Sequence, residues 1–354
     1  PENHAAAIGA RKCAPEFIEQ SEGKGYSSDI CSYARVNMGY ADIQFSEAEN
    51  IPMPDLLFCC SNICNTVIKW YENLAKNLGI PLIMFDMPFN HTYEVPEYSV
   101  KYMRSQIEYA IKKLEEITGK KFDFDNFAEV MKLSNETCEW WKKATDLAVN
   151  IPSPLKGFDM FNYMALIVCM RGKKEGKELY KLWYEELKEK SEKGIGPFRD
   201  QEEKYRVMWD GIACWPNLSV TYKTLKKYGI NMVTSTYPES WNVRYETNDL
   251  DGMARAYSSN YANRNLEYDV QNVSKLVRDF KLDGIIYHSN RSCKLMDFRQ
   301  YEVQRRVEEE TGVPSVIFDG DQTDPRIFSE AQYETRIQAL VEMMENNKKA
   351  GRDK

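Results

Sequence analysis

Short apolar runs alternate with amphipathic, helix-like segments along most of this 354-residue chain. In the first third, the runs PDLLFCC and PLIMFD flank the amphipathic stretch NTVIKWYENLAKNLG, which ends on Gly79. Glycine just past the last helical residue is a common helix terminator. The same rhythm returns in the second half, where the apolar runs are YRVMWDGIAC, INMVTSTYP, LDGIIYHS and PSVIFDGD. This alternation predicts parallel sheets covered by helices.

Residues 121–198 follow a different pattern, because helical periodicity continues through almost all of them and is broken only at NIPSPLKGFD. We therefore predict an α/β protein with two doubly wound, Rossmann- or flavodoxin-like parallel-sheet domains joined by a helical segment. The predicted boundaries are 1–120 for the first α/β domain with its N-terminal helical part, 121–198 for the helical insert, and 199–354 for the second α/β domain. Ligands of such sheets bind beyond the carboxyl ends of the strands.

Composition excludes several classes of function. The formal net charge of -7 argues against a nucleic-acid partner, which needs a basic face. No apolar run approaches the roughly 20 residues that cross a bilayer, so no membrane partner is expected. Neither a phosphate-binding loop of the type GxxxxGK[ST] nor a well-placed GxGxxG is present, which disfavours bound ATP or a dinucleotide.

The cysteines predict a cytoplasmic, reduced setting. Nine of them occur, an odd number without the regular spacing of a secreted disulfide framework, and no signal peptide is recognisable. The sequence starts at Pro1 without Met, in what looks like a helix, so we expect that an N-terminal portion precedes it.

Three cysteines share one local context. Cys64 follows an apolar run and precedes a helix, Cys293 does the same after GIIYHSNRS, and Cys31 lies beside a helix start in GYSSDICSYAR. Helix N-termini favour a thiolate over a thiol, and thiolates bind soft metals. Three converging thiolates suit an iron–sulfur cluster with one open iron, whereas structural zinc needs four ligands. Cys60 and Cys64 form only C-x-x-x-C, for which core cysteines at a strand end are the simpler explanation.

Several longer motifs resemble one family. PENHAAA, GYSSDICSYARVNMG, CCSNICNTVIKWYE, HSNRSCK and VIFDGDQTDPRIFSEAQYETRIQALVEMM are similar to the 2-hydroxyacyl-CoA dehydratases, a family that also includes benzoyl-CoA reductase subunits. The resemblance covers essentially the whole chain, and the closing block is long enough to be specific. It implies a 4Fe-4S cluster held by Cys31, Cys64 and Cys293 with one open iron site. Cys59 and Cys60 lie within reach of the same turn, so either of them could replace Cys64.

The resemblance also implies a reaction and its partners. A heterodimer of two homologous subunits would remove water from an (R)-2-hydroxyacyl-CoA to give the (E)-2-enoyl-CoA during anaerobic amino-acid fermentation. The thioester carbonyl would bind the open iron, and one electron from a separate ATP-dependent iron–sulfur activator would form a ketyl radical. Two alternatives stay open: a benzoyl-CoA reductase-type subunit, which consumes two electrons per turnover, and a non-catalytic iron–sulfur protein of the same fold.

Further candidates lie outside the cysteine motifs. We expect Glu2 to be the base for the C3 proton and His4 to assist by hydrogen bonding the carbonyl or the leaving hydroxyl, although a glutamate also suits the first turn of a helix. His288 could lie behind the cluster or be a core histidine. Arg255 and Arg264 are predicted near the phosphates of coenzyme A, and DGDQTDPR is predicted to be a rigid turn.

Overall fold

The protein is described by a computed structural model of residues 2–352; Pro1, which we expected to lie within a helix, is outside the described residues, as are Asp353 and Lys354. The N-terminal part consists of α1 (Glu2–Ala10), α2 (Ala14–Gly23), α3 (Ser32–Ile43), β1 (Leu57–Cys60), α4 (Asn65–Leu78), β2 (Leu82–Phe85) and α5 (Glu97–Thr118). Strands β1 and β2 pair in parallel, with Cys60 opposite Phe85. Helix α4 ends at Gly79 in the left-handed conformation (φ 68°), which confirms the predicted strand–helix–strand unit.

Helices α2 and α3 cross closely at Gly39. A Cβ atom built on Gly39 would lie 2.1 Å from the carbonyl oxygen of Phe17. Because any side chain would collide with backbone at this point, only glycine permits the crossing. The crossing fixes the direction of α3, whose residues from Ser32 to Tyr40 are buried.

A helical segment follows, as the sequence predicts. It contains α6 (Phe124–Asp146), a 3-10 turn (Leu147–Val149), α7 (Phe158–Cys169) and α8 (Lys174–Glu192). Helices α6 and α8 pack along each other through Trp141, whose ring centroid lies 5.2 Å from that of Tyr180 and 5.6 Å from that of Trp183. The outward face of α8 carries ion pairs four residues apart, such as Lys190 with Glu186, as expected of a solvated face.

The second half contains the larger sheet. Its elements are β3 (Tyr205–Asp210), a 3-10 turn (Trp215–Asn217), α9 (Leu218–Lys227), β4 (Ile230–Ser235), α10 (Thr236–Glu239), α11 (Leu250–Ser258), a 3-10 turn (Tyr261–Asn263), α12 (Leu266–Asp279), β5 (Gly284–Asn290), α13 (Lys294–Thr311), β6 (Ser315–Gly320) and α14 (Glu330–Arg352). The strands are parallel in the order β4-β3-β5-β6, the reversal that defines a doubly wound sheet. Helix α12 packs beside α13, and α14 beside α9, so helices cover both faces.

The α/β class with parallel sheets is thus confirmed. Strands β3, β4 and β5 are buried at every position, which explains why continuous apolar runs marked them in the sequence. Within residues 2–352 the first sheet has two strands and the second has four. The end of INMVTSTYP forms the short helix α10 instead of continuing β4, and the domain boundaries at 120 and 198 stay predictions. No described helix combines the length and apolar character that crossing a membrane requires.

Candidate metal centre

Each of the three predicted ligand cysteines immediately precedes a helix. Cys31 is the N-cap residue of α3, Cys64 that of α4, and Cys293 that of α13. Cys64 and Cys293 lie on the loops that follow the carboxyl ends of β1 and β5. The helix-start positions expected from the sequence are therefore confirmed, whereas the role of these residues as ligands stays a prediction.

The three thiols lie close enough to influence each other electrostatically. Burial is the main cause that raises the pKa of Cys31, and the charges of Cys293 and Cys64 raise it further. Burial likewise raises the pKa of Cys293 to about 12, and the charge of Cys64 adds to the effect. The pKa of Cys64 is also raised, first by burial, against the opposing effect of the Val67 N–H. Residues 31, 64 and 293, distant in sequence, therefore lie within electrostatic reach of one another.

The sequence predicted that the helix N-termini would favour thiolates, but in the structure the pKa of each of the three thiols is raised. Burial and mutual repulsion of the sulfurs outweigh the nearby N–H groups. Three adjacent sulfurs can ionise together only when positive charge lies beside them, and a bound metal centre supplies it. The thiol set fits such a group.

The distances among the three cysteines indicate which kind of metal centre they could bind. Within residues 2–352, no three His, Cys, Asp or Glu side chains lie close enough together to bind a single metal ion. In a 4Fe-4S cluster each cysteine binds a different iron atom, so its ligands lie further apart than those of one ion.

The turn after β6 ties two of these helix starts together. The Ser292 hydroxyl donates to Oδ2 of Asp321 (2.5 Å) and accepts the N–H of Ser32 (3.1 Å). The other oxygen of Asp321 accepts the N–H groups of Thr323 and Asp324, both at 2.9 Å. The immediate neighbours of Cys31 and Cys293 are thereby joined through DGDQTDPR, which is the rigid turn that the sequence predicts.

A partly buried ion-pair network holds α3 against the same turn. The guanidinium of Arg35, a residue only 1% exposed, donates to Glu22 (2.7 Å) and to Asp324 (3.2 Å). Arg326 also donates to both carboxylates, at 2.7 Å each. Because each buried charge has a partner of opposite sign, the network is satisfied, and removing one member would leave another unpaired.

The two other cysteines near Cys64 differ in direction. Cys59 is 3% exposed and directs its thiol toward the carbonyl oxygen of Val67 (3.9 Å), so it belongs to the core. Cys60 is partly buried and lines a cavity together with Cys293. Burial, and then the charge of Glu2, raise its pKa to about 11. Of these two neighbours, Cys60 is the one that faces the site.

An apolar cavity of about 370 Å³ opens beside Cys60 and Cys293. Its walls are mainly aliphatic and aromatic side chains from all three parts of the chain, including Ile63, Ile167, Val168, Ile212, Trp241 and Leu295. Arg171 is the charged residue of the lining, and its guanidinium donates to the Trp241 carbonyl oxygen and the Tyr257 hydroxyl. A cavity of this kind accommodates an apolar group and excludes water.

Glu2 lines a neighbouring cavity of about 230 Å³. Tyr237 and Trp241 line this cavity and the larger one, so the two share a wall. The Glu2 charge also adds to the raised pKa of Cys60 and Cys64, which locates its carboxylate near the thiols. Glu2 therefore lies near the cysteine site, whereas its role as the base stays a prediction.

Sequence reasoning missed Tyr237. It lies two residues past the end of β4. Burial is the main cause that raises its pKa, and a hydrogen bond with the Tyr33 hydroxyl opposes this effect. The charges of Glu2, Cys293 and Cys31 raise the pKa further. The rule that ligands bind beyond the carboxyl ends of parallel strands was the signal that could have found it.

The structure does not bring His4 to the same cavity. Positions two apart on a helix do not face the same direction, and α1 presents His4 to the protein interior. Its Nε2 lies 3.0 Å from the carbonyl oxygen of Glu49, and its ring contacts Tyr40 edge-on at 4.4 Å. His4 therefore anchors α1 and does not line the cavity beside Glu2.

His288 is a core histidine, one of the two readings that the sequence allowed. It is fully buried, its ring stacks on Phe318 at 5.0 Å, and its Nδ1 lies 2.6 Å from the carbonyl oxygen of Ile212. Burial lowers its pKa against smaller opposing effects of Ile212, Asp321 and nearby carboxylates.

The two predicted phosphate-binding arginines separate. Arg255 lines a wide groove of about 1100 Å³ that shares Tyr261 and Ser240 with the apolar cavity, and it pairs with Glu97 at 2.6 Å. Arg264 is buried, with its guanidinium 4.0 Å from the ring centroid of Tyr268, and does not line that groove. Of these two arginines, Arg255 lines the groove and Arg264 does not, and their role as phosphate-binding residues stays a prediction.

Comparison with known proteins places this site in a family. The model of the 2-hydroxyglutaryl-CoA dehydratase, D-component family matches residues 3–344, so the chain belongs to that family. Over 99% of its length it is 54% identical to the (R)-2-hydroxyisocaproyl-CoA dehydratase alpha subunit of Clostridioides difficile and covers 86% of that protein. It is 46% identical to the (R)-phenyllactyl-CoA dehydratase alpha subunit of Clostridium sporogenes, over 99% of this chain and 85% of that one.

A more distant relative is the (R)-phenyllactyl-CoA dehydratase beta subunit of Clostridium sporogenes, which is 24% identical over 80% of this chain and 74% of its own length. The family resemblance seen in the sequence is confirmed, and the chain is a dehydratase subunit, a hydro-lyase.

Proposed function

We propose that this chain is the iron–sulfur subunit of a heterodimeric (R)-2-hydroxyacyl-CoA dehydratase, which removes water to give the (E)-2-enoyl-CoA. The observation that carries the proposal is that Cys31, Cys64 and Cys293, each at a helix N-terminus, lie within electrostatic reach of one another, and that Cys293 lines an apolar cavity. The names of the alpha-subunit relatives support the reaction. The match to a beta subunit supports a related second subunit as the partner.

In this proposal the three cysteines hold a 4Fe-4S cluster with one iron free of protein ligands. When bound, the cluster supplies a Lewis acid and, once charged by a separate ATP-dependent activator, one electron for ketyl-radical dehydration of an acyl-CoA. The aliphatic and aromatic walls of the cavity hold the acyl chain and exclude water from it.

The chain's own acid–base group is Glu2. Its carboxylate lies near the thiols and lines the cavity that shares Tyr237 with the apolar one, which supports its assignment as the base that accepts the proton from C3 of the substrate. His4 orients Glu2 by holding α1 against Glu49 and Tyr40. The groove that contains Arg255 adjoins the apolar cavity and has room for coenzyme A.

Iron and sulfide content of the anaerobically purified complex with its second subunit tests the proposal. Cys31→Ser, Cys64→Ser and Cys293→Ser should each lower the iron content relative to the native complex, because each removes one cluster ligand. Cys169→Ser is the matched control, since Cys169 is an exposed cysteine at the end of α7.

Two outcomes would contradict the assignment. A native complex without iron and sulfide would refute the iron–sulfur subunit altogether. Unchanged iron in Cys64→Ser, together with a loss in Cys60→Ser, would move the middle ligand to Cys60.

A further inference from the structure

The side chain of Gln322 contacts the sulfur of Cys31 directly. Its Nε2 donates to Sγ of Cys31 at 2.9 Å, and Gln322 is fully buried. Gln322 belongs to the turn after β6, where its backbone carbonyl oxygen accepts the backbone N–H of Trp215 (3.2 Å). The contact is therefore made by a residue held in place at its backbone.

The oxygen of the Gln322 side-chain amide also has a hydrogen-bond partner. Asn290, the last residue of β5 and fully buried, donates through Nδ2 to Oε1 of Gln322 at 2.7 Å. An amide has one donor end and one acceptor end. Because Asn290 engages the acceptor end, the N–H groups of Gln322 are directed at the sulfur.

Asn290 also connects this contact to a second helix start. Its carbonyl oxygen accepts the N–H of Cys293 at 2.8 Å. A continuous chain of hydrogen bonds thus runs from the loop of Cys293 through Asn290 and Gln322 to the sulfur of Cys31. The amide is neutral, so it stabilises negative charge on the sulfur without adding a further buried charge.

We propose that Gln322 is a positioning residue that tunes the metal centre: its N–H···S hydrogen bond, oriented by Asn290, stabilises the Cys31 thiolate and makes the centre easier to reduce. The inference rests on the proposed function, because it assigns Cys31 to a cluster. Hydrogen bonds to cysteine sulfurs raise the reduction potential of iron–sulfur clusters, since reduction adds negative charge that the donor stabilises.

The test is a redox titration of the anaerobic complex, followed by the spectrum of the cluster, with iron content measured in parallel. Gln322→Met has a similar length but no donor, and Gln322→Glu places an acceptor at the same site. Both should retain iron and lower the midpoint potential. The expected size is a tenfold change in the equilibrium constant of reduction, which for one electron is about 59 mV. Gln332→Met, at an exposed position of α14, is the control and should leave the potential unchanged.

The outcomes separate this inference from the proposed function. A variant that retains iron and has the native potential overturns the tuning role of Gln322 alone. Loss of iron from both Gln322 variants also overturns it and assigns the residue to cluster retention. A native complex that holds no iron overturns the proposed function itself.

Discussion

At the scale of single residues, Glu2 is the group that we propose as the base. Glu2→Gln keeps the shape of the side chain and removes its ability to accept a proton. We expect the turnover number to fall by roughly 10²–10⁴-fold while the iron content of the complex stays at the native level. Glu19→Gln, an exposed position on α2, is the control. A normal rate in Glu2→Gln would remove Glu2 from the mechanism.

A second residue, His288, makes the fold sensitive to acid. Burial lowers its pKa in the folded protein, whereas in the unfolded chain it titrates near 6.5. Below that pH the unfolded chain binds a proton that the folded chain does not, so the free energy of unfolding falls as the pH decreases. His288→Phe should therefore show a smaller drop in Tm between about pH 7.5 and about pH 5.5 than the native protein.

The control for His288→Phe is the same substitution at a histidine that is not buried. His91→Phe, in an exposed loop, should keep the native dependence of Tm on pH. An equal drop in Tm for His288→Phe and the native protein would show that other groups cause the acid sensitivity.

At the scale of elements, the crossing of α2 and α3 determines where Cys31 lies. Gly39→Ala would bring a Cβ atom to 2.1 Å from the carbonyl oxygen of Phe17 and force the helices apart. We expect the free energy of unfolding to decrease by about 1–3 kcal/mol, the usual cost of overpacking, and iron to be retained less well. Urea unfolding and iron analysis measure the two effects.

Gly23→Ala provides the matched control because Gly23 is a glycine of α2, the other helix of the crossing, and has open space around its Cβ position. Alanine is the better helix former, so this change should leave stability equal or higher by up to about 1 kcal/mol. Equal effects of the two substitutions would mean that the crossing tolerates a side chain.

At the scale of the whole molecule, the apolar cavity is built by all three parts of the chain. Cys60 comes from the first sheet, Val168 from the helical segment, and Leu295 from α13. An acyl chain that enters it loses contact with water, which is costly for a carboxylate and favourable for a hydrocarbon. We therefore expect kcat/KM to be at least about tenfold higher for (R)-2-hydroxyisocaproyl-CoA than for (R)-2-hydroxyglutaryl-CoA.

Side-by-side assays of the two thioesters with the activated complex measure this preference. A higher kcat/KM for the dicarboxylic substrate would contradict it and would identify Arg171, which lines the cavity, as the partner of the second carboxylate.

Periodicity and helix-end signals made much of this molecule predictable. Continuous apolar runs located β3, β5 and β6, and the strand-to-helix pattern put Cys64 and Cys293 at helix starts. The direction of His4 was not predictable, because the alanine-rich α1 has no clear apolar stripe to define its buried face. Tyr237 belongs to the four-residue helix α10, which is too short to show a period.

Contacts across the chain were equally hidden from the sequence. The Ser32 N–H meets the Ser292 hydroxyl across 260 positions, and no local pattern marks either residue as its neighbour.

That bond has a consequence for biosynthesis. While the ribosome is still making β5, the nascent polypeptide contains Cys31 and Cys64 but lacks Asp321 and Gln322, which brace the surroundings of Cys31. The surroundings of Cys31 can therefore be completed only after translation has passed the last strand, β6.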